Sequence, residues 1–304
     1  MNHSLVKNYA LLLLVMVIWG SNVIIFKVLV QYVPVASMMA IRNLIAAIVL
    51  MLFVTRGMEF FRLTRKEWFY TIFAALTGIA AHHLLLAKGL LTSTASSSAV
   101  ILALSPTATA VFSYLILKVM LSKIQMLGVL VSFMSVFLLI TNTSAQIGGA
   151  GIGLIYVLLS MLLQSLSYIY IRKATYTMEP KQLTAIMLFI GSIGLFIYSL
   201  LTEPNGMKEL FLNTSTNIWL LLIFSAVASS AIGQMLYNSS IQKIGANKTA
   251  IFSNLIPFFS LIFSVIFLRE IITLYQITLF VFVIIGVLLC VGFNEPKVEN
   301  RISN

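Results

Sequence analysis

Ionisable side chains within apolar stretches are few in this chain, and they limit the chemistry open to it. His82 and His83 sit together inside such a stretch. An imidazole titrates near neutrality and can couple a proton to a ligand; the alternative is a hydrogen bond across a helix seam without titration. Gln234, 151 residues beyond His83, is a second polar group of the same kind. Ser160, Gln164, Ser167 and Tyr168 follow one another at i, i+4, i+7 and i+8, and Ser230, Gln234, Tyr237 and Asn238 repeat those spacings. On a helix each set forms a stripe along one face. In lipid such stripes turn inward, to a wet cavity or to a helix seam. Trp19 and Asn22 share a face, with Phe26 one turn on; Trp19 either lines the cavity or packs a close contact at Gly20. Asn254, three residues before Pro257, is placed to join them, because a proline leaves a carbonyl unpaired nearby. Lys27, Arg42 and Lys88 lie toward the ends of apolar runs, where long basic side chains can snorkel to the headgroups.

Enzyme chemistry has little to work with. The chain has no aspartate and eight glutamates, mostly outside the apolar runs, so no carboxylate cluster offers a metal site or paired acid and base. No catalytic residue, metal or cofactor is expected. A phosphate-binding Gly-Lys-Ser/Thr loop is missing too, which argues against ATP-driven work. The one cysteine, Cys290, excludes an internal disulfide.

These residues must be positioned by helices in a membrane. Of the 304 residues, 60% are hydrophobic and 9% charged, with a mean hydropathy of +1.05. Soluble chains run near about 45–50% apolar and about 25% charged. The formal net charge of +11 does not point to nucleic acid, because the basic residues fall in short clusters between apolar runs. A crossing helix needs roughly 20 residues, and ten segments qualify: 9–30, 36–55, 68–88, 97–117, 123–141, 151–171, 182–201, 218–238, 249–268 and 273–293. The first, from Ala10 to Val30, is too long for a signal peptide and is read as a retained span.

Charge sets the orientation. With the N-terminus inside, Lys7, Arg56, Arg62, Arg65, Lys66, Lys118, Lys123, Arg172, Lys173, Lys181, Lys243, Lys248, Lys297 and Arg301 fall on the cytoplasmic side. Only Lys208 and Arg269 fall on the other. Both termini are therefore expected in the cytoplasm, with the chain in the cell membrane.

The sequence also repeats itself. At an offset of 151 residues, His83–Lys118 lies over Gln234–Arg269 without a gap. Ala95/Ala246, Ala99/Ala250, Leu104/Leu255, Pro106/Pro257, Phe112/Phe263, Ser113/Ser264 and Leu117/Leu268 are identical. Five spans per half is an odd number, so the halves run in opposite directions, an arrangement common in secondary transporters. Pro106 and Pro257, each expected inside a helix, would kink equivalent helices and act as hinges. The expected architecture is an all-α integral membrane protein of ten transmembrane helices in two inverted five-helix repeats, residues 1–145 and 146–304.

Trp19-Gly20-Ser21-Asn22 followed by Lys27, then Arg42, and the stretch from Thr94 to Pro106 resemble the EamA family of the drug/metabolite transporter superfamily. Gly245 to Pro257 repeats the last pattern and leads to Leu268-Arg269-Glu270; in the first half Val119 stands where Glu270 has its counterpart. The resemblance implies ten helices in two inverted repeats and export of metabolites or amino acids. It also implies a structural or anion-facing role for Arg42, with Lys27 beside it.

The expected function is a secondary carrier of a small metabolite, amino acid or drug-like compound, working by alternating access. Its cavity would be built from Trp19, Asn22, His82, His83, Gln164, Ser167, Tyr168, Gln234, Tyr237, Asn238 and Asn254. Proton coupling through His82 or His83 competes with uniport. The alternative, a non-transporting scaffold or sensor, would need a partner-binding surface that connecting loops this short hardly provide.

Overall fold

A computed structural model describes residues 3–55, 62–146 and 150–291. Arg56, Lys297 and Arg301, counted in the charge asymmetry, lie outside the described residues. Lipid offers no partner to backbone N–H and C=O groups, so a crossing segment must satisfy them within itself. The described residues accordingly form helices and no strands. They are α1 (His3–Leu29), α2 (Val35–Thr55), α3 (Arg65–Thr92), α4 (Ala95–Leu102, resuming as Ser105–Leu117), α5 (Lys123–Gln146) and α6 (Ala150–Ala174). Then come α7 (Pro180–Thr202), the short α8 (Gly206–Asn213), α9 (Thr216–Ile244), α10 (Ala246–Phe252, resuming as Leu255–Leu268) and α11 (Leu274–Val291).

Nine of these helices among the described residues are long and apolar enough to cross a membrane. The tenth expected span appears as the shorter apolar run Leu274–Cys290. At 1.5 Å per residue it reaches roughly 25 Å, short of the ~30 Å hydrocarbon core. Conversely, α3 and α9 are 28 and 29 residues long, well beyond the expected 68–88 and 218–238. Each carries a π-helical segment, Leu76–Ala81 in α3 and Ser225–Gly233 in α9. Both segments are rich in small residues, which lets neighbours come close; Gly78 faces Ser167, and Gly233 faces the Trp19 indole.

The prolines act differently from the expectation of kinks inside continuous helices. α4 is interrupted at Ala103–Leu104 and α10 at Ser253–Asn254, and each proline falls in the first turn of the helix that resumes. A first-turn proline lacks only an N–H that would be unpaired in any case, so it starts a new segment at little cost.

Packing follows the small residues. α2 lies along α7, α5 along α11, α1 along α10, and α3 along α6. Where α5 crosses α11, a Cβ on Gly128 would strike the Gly286 carbonyl, and one on Gly286 would strike Ser132. At the α1–α10 crossing, a Cβ on Gly20 would come within 2.5 Å of the Phe259 Cβ, and Ser260 donates to the Gly20 carbonyl at 3.1 Å.

Polar clasps mark two ends of the bundle. At one, Glu203 accepts from the N–H groups of Ala36 and Ser37 at 2.9 Å, and Glu270 accepts from those of Ala95 and Ser96 at 2.8 and 2.9 Å. At the other, Thr177 donates to Glu67, Arg172 donates to the Ile241 and Gln242 carbonyls at 2.9 and 2.8 Å, and Lys243 donates to Asn8 at 3.0 Å. The buried apolar side chains form two clusters, one toward each end. The polar residues of interest lie between them.

Candidate functional site

A cavity of about 80 Å³ opens between the two apolar clusters. Its wall draws on six helices: Trp19, Asn22, Val23 and Phe26 from α1; His82, His83 and Leu86 from α3; Leu102 and Ser105 from α4. The rest is Met161, Gln164 and Tyr168 from α6, Ser229, Ser230 and Gln234 from α9, and Ser253 and Ile256 from α10. The wall is partly a set of equivalents at the 151-residue offset: His83 with Gln234, Leu102 with Ser253, Ser105 with Ile256. The volume holds a few waters or one small ligand group, whereas sites that enclose drug-sized ligands measure ~300–1,000 Å³. The conformation is thus a constricted one, and a larger molecule would have to part the walls.

The walls are pinned by hydrogen bonds that the fold itself supplies. Within the π segment of α9 the Ser229 carbonyl accepts the Gln234 N–H, and the Trp19 indole donates to the same oxygen at 3.1 Å. The indole continues as an aromatic row through Tyr237 to Tyr168, with ring centroids 4.8 and 4.9 Å apart. Trp19 therefore stands at the cavity, where it meets Gly233, while the close contact at Gly20 is made by Phe259 of α10. His82 meets the Ser160 hydroxyl at 2.7 Å and the Ser160 carbonyl at 3.1 Å. His83, its neighbour, points Nδ1 into a buried position with no hydrogen-bond partner, and so does Ser230 with its hydroxyl. The Gln164 side-chain oxygen is buried and unpaired there too. A buried polar atom left unpaired costs about 1–3 kcal/mol, so His83, Ser230 and Gln164 are the wall groups with most to gain from a ligand or water.

Of the other expected cavity residues, Asn22, Gln164, Tyr168 and Gln234 are in the wall and four are not. Ser167 donates to the Ala74 carbonyl at 3.1 Å, joining α6 to α3. Tyr237 is fully buried behind Trp19, its hydroxyl 2.9 Å from Ser253. Asn238 bridges Gln234, at 3.0 Å, and Thr184 of α7, at 2.8 Å. Asn254 stands at the break in α10, its side-chain oxygen buried and unpartnered outside the cavity. The stripes thus divide along their length: one part faces the cavity and the rest seals seams.

Snorkelling fails for all three basic residues near span ends. Lys27 donates to the Leu90 and Ser93 carbonyls at 2.7 Å each, closing the C-terminal end of α3. Lys88 donates to the Tyr198 hydroxyl at 2.5 Å. Arg42 is 1% exposed, and its Nε donates to Ser225 at 2.7 Å. Free carbonyls at a helix end and an inward hydroxyl offer these cations partners closer than the headgroups. Glu270 caps α4 with both its oxygens.

Sequence reasoning missed Ser229, Ser253 and Ser105 of the wall. The signal was there in Ser229 beside Ser230 and in the serine preceding Pro106, but neither falls on the spacing of the polar stripes, so neither was assigned to a face.

The fold and this central site define a multi-pass membrane protein with a small polar cavity walled by helices from along the whole chain. The model of the EamA-like transporter family matches residues 6–141 and again 151–292. The chain belongs to that family, and its two matches are two repeats. It is 29% identical over 303 residues to the uncharacterized transporter YyaM of Bacillus subtilis, covering 96% of each chain. A second Bacillus subtilis relative, the uncharacterized transporter YvbV, is 27% identical over 270 residues, covering 88% of this chain and 86% of its own. A solved crystal structure of a protein matches with a TM-score of 0.68 at 12% identity, over 93% of this chain and 96% of that one, which establishes likeness of fold. The protein is a transporter whose surroundings are lipid and whose cargo is a small molecule.

Proposed function

We propose that the chain is a secondary carrier that exports a small metabolite by alternating access, with the central cavity as its binding site. The observation that carries this reading is the cavity's construction. Both halves contribute equivalent helices to one wall, and unpartnered groups from each half, His83 and Ser230, meet there. A site on the axis between two repeats is what rocking of one against the other would expose to either side in turn.

The reading includes ten crossing helices in inverted repeats, residues 1–145 and 146–304, with both termini cytoplasmic in the cell membrane. The pairing of α2 with α7 and of α5 with α11 supports the inversion, since each helix lies against its own counterpart, as an axis between the halves requires. The breaks ahead of Pro106 and Pro257 serve as hinges. His83 is the preferred site of proton coupling, because His82 already spends its ring nitrogen on Ser160.

The test is flux across liposomes containing the purified protein. Substrate-specific, saturable movement is expected, and a growth screen on overexpression against toxic amino acids and metabolites would supply the substrates to try. Sealed liposomes that stay inactive toward every compound the screen selects would defeat the carrier reading.

A further inference from the structure

Arg42 is the largest fully buried side chain in the molecule, and it is a cation. Among the described residues no carboxylate pairs with it. Its resting partners are two neutral groups: Nε donates to the Ser225 hydroxyl at 2.7 Å, which donates onward to the Asn22 side-chain oxygen at 2.5 Å, and the guanidinium lies 4.5 Å over the Phe26 ring. NH1 has no hydrogen-bond partner among the described residues. Asn22 and Phe26 are both cavity wall, so the charge stands one side chain behind the site.

The balance of charge in the cavity is one-sided. No acidic residue lines it, while the Arg42 guanidinium stands over the Phe26 ring of its wall. A buried charge needs a counter-charge or it destabilises its surroundings. The unpaired polar groups at hand are a guanidinium nitrogen, an imidazole nitrogen at His83 and a hydroxyl at Ser230, all of which can donate, and the Gln164 side-chain oxygen, which accepts but carries no charge. A carboxylate accepts several such bonds, and guanidinium binds it more strongly than a neutral acceptor. An ammonium group would find no acid to meet it.

We propose that Arg42 is the counter-charge of the transported molecule, which is a small organic anion that presents a carboxylate to Arg42 and His83. The substrate class rests on the carrier reading; the anion site itself does not. Phe26 holds the guanidinium through its ring face until the carboxylate arrives and gives way to it. A zwitterion binds less well than a simple anion because its ammonium meets only the neutral Gln164 oxygen and no acid, and a cation is repelled.

Four probes of about the same size separate these cases: acetate, glycine, acetamide and methylammonium. They are titrated against the full chain in detergent, with ionic strength held by sodium gluconate, whose anion is too large for the cavity, and thermal stability is read. Acetate should protect saturably, glycine less, and acetamide and methylammonium hardly at all. Arg42→Gln should weaken acetate protection at least tenfold, Arg42→Lys should retain part of it, and Ser225→Ala, which frees Nε, should retain all of it. Equal protection by acetamide or methylammonium in the unmodified protein overturns the proposal, as does undiminished acetate protection in Arg42→Gln. If Arg42→Gln does not fold, the four-probe ranking and the Ser225→Ala arm still decide. Inactive liposomes with acetate protection intact would remove the carrier reading and leave the anion site; active liposomes with no preference for acetate would do the reverse.

Discussion

The two halves of the molecule share their backbone devices and differ in the side chains mounted on them. At the 151-residue offset, both have a π segment in the third helix and a break before a proline in the fourth. Both fourth helices end on a basic residue in the left-handed region, Lys118 at φ 58° and Arg269 at φ 54°. Both fifth helices open on reciprocal caps, Ser122 with Gln125 and Thr273 with Gln276. The chemistry departs from this sameness. His82 and His83 face Gly233 and Gln234 across the repeat, and Glu270 has Val119 as its counterpart. The shared set is what a five-helix unit needs to fold in lipid; the unshared set is concentrated at the cavity and at one end of the bundle.

The strongest way to break the comparison is at a place where the halves meet through backbone. Gly286→Leu puts a branched side chain where even a Cβ collides with Ser132 and the Gly128 carbonyl. Neither α5 nor α11 can yield without separating, and overpacking of a tight contact costs about 1–3 kcal/mol or more. Folded protein recovered after detergent extraction, measured by size-exclusion chromatography, should fall several-fold. Recovery at the unmodified level would mean that the α5–α11 crossing does not hold the halves together.

The next test separates the cavity's two unequal members. His83→Ala should abolish or uncouple transport while the protein still accumulates in the membrane, whereas Gln234→Ala should lower flux by less than tenfold, since the Gln234 amide is already bonded to Asn238. Flux into liposomes at two external pH values reads both effects. Equal losses, or unchanged flux and pH dependence in His83→Ala, would remove His83 from the mechanism and make the asymmetry decorative.

Much of this arrangement was legible from residues alone, for physical reasons. Hydropathy and loop charge mark spans because lipid penalises exposed polar groups so heavily, and the Pro106/Pro257 register revealed the repeat. Half-legible were the polar stripes. Spacing places Ser167, Tyr237 and Asn238 on a helix face but does not say what that face meets, and they meet α3, α10 and α7 rather than the cavity. Partners contributed by distant helices left no trace in the sequence. Lys27 and Arg42 read as snorkelling cations because Leu90, Ser93 and Ser225 come to them only in the packed bundle. The π segments were equally silent, since an i→i+5 turn changes no residue type.

A smaller effect is expected where the halves agree. The family matches begin at 6 and 151, a spacing that also relates Lys27 to Arg172. Each cation ends the first helix of its repeat and closes the carbonyl end of the third, Lys27 on Leu90 and Ser93, Arg172 on Ile241 and Gln242. Their ends of the bundle are opposite. Lys27→Met and Arg172→Met should each cost about 1–2 kcal/mol, the scale of charge-assisted bonds at a partly exposed site, and lower the melting temperature by similar amounts. A loss confined to one variant would show that the two ends are fastened by different means.

The smallest effect belongs to a fastening for which the other half has no carboxylate. Glu270 sits half-buried after the left-handed turn at Arg269, and both its oxygens reach the N-terminus of α4, where the helix dipole favours a negative charge by about 0.3–1 kcal/mol. The turn is already present at Lys118, followed by Val119, with the start of α10 in the equivalent place. Glu270→Gln should therefore lower the melting temperature by a few degrees, and Val119→Glu, which supplies the missing carboxylate on a backbone shaped for it, should raise it by a degree or two. If Val119→Glu stabilises the protein yet slows transport, the missing carboxylate is part of the mechanism, because an end that must open cannot be clasped as firmly as its opposite. If it stabilises without slowing transport, the difference between the halves at this position is indifferent to function, and the case for asymmetry retreats to the histidines.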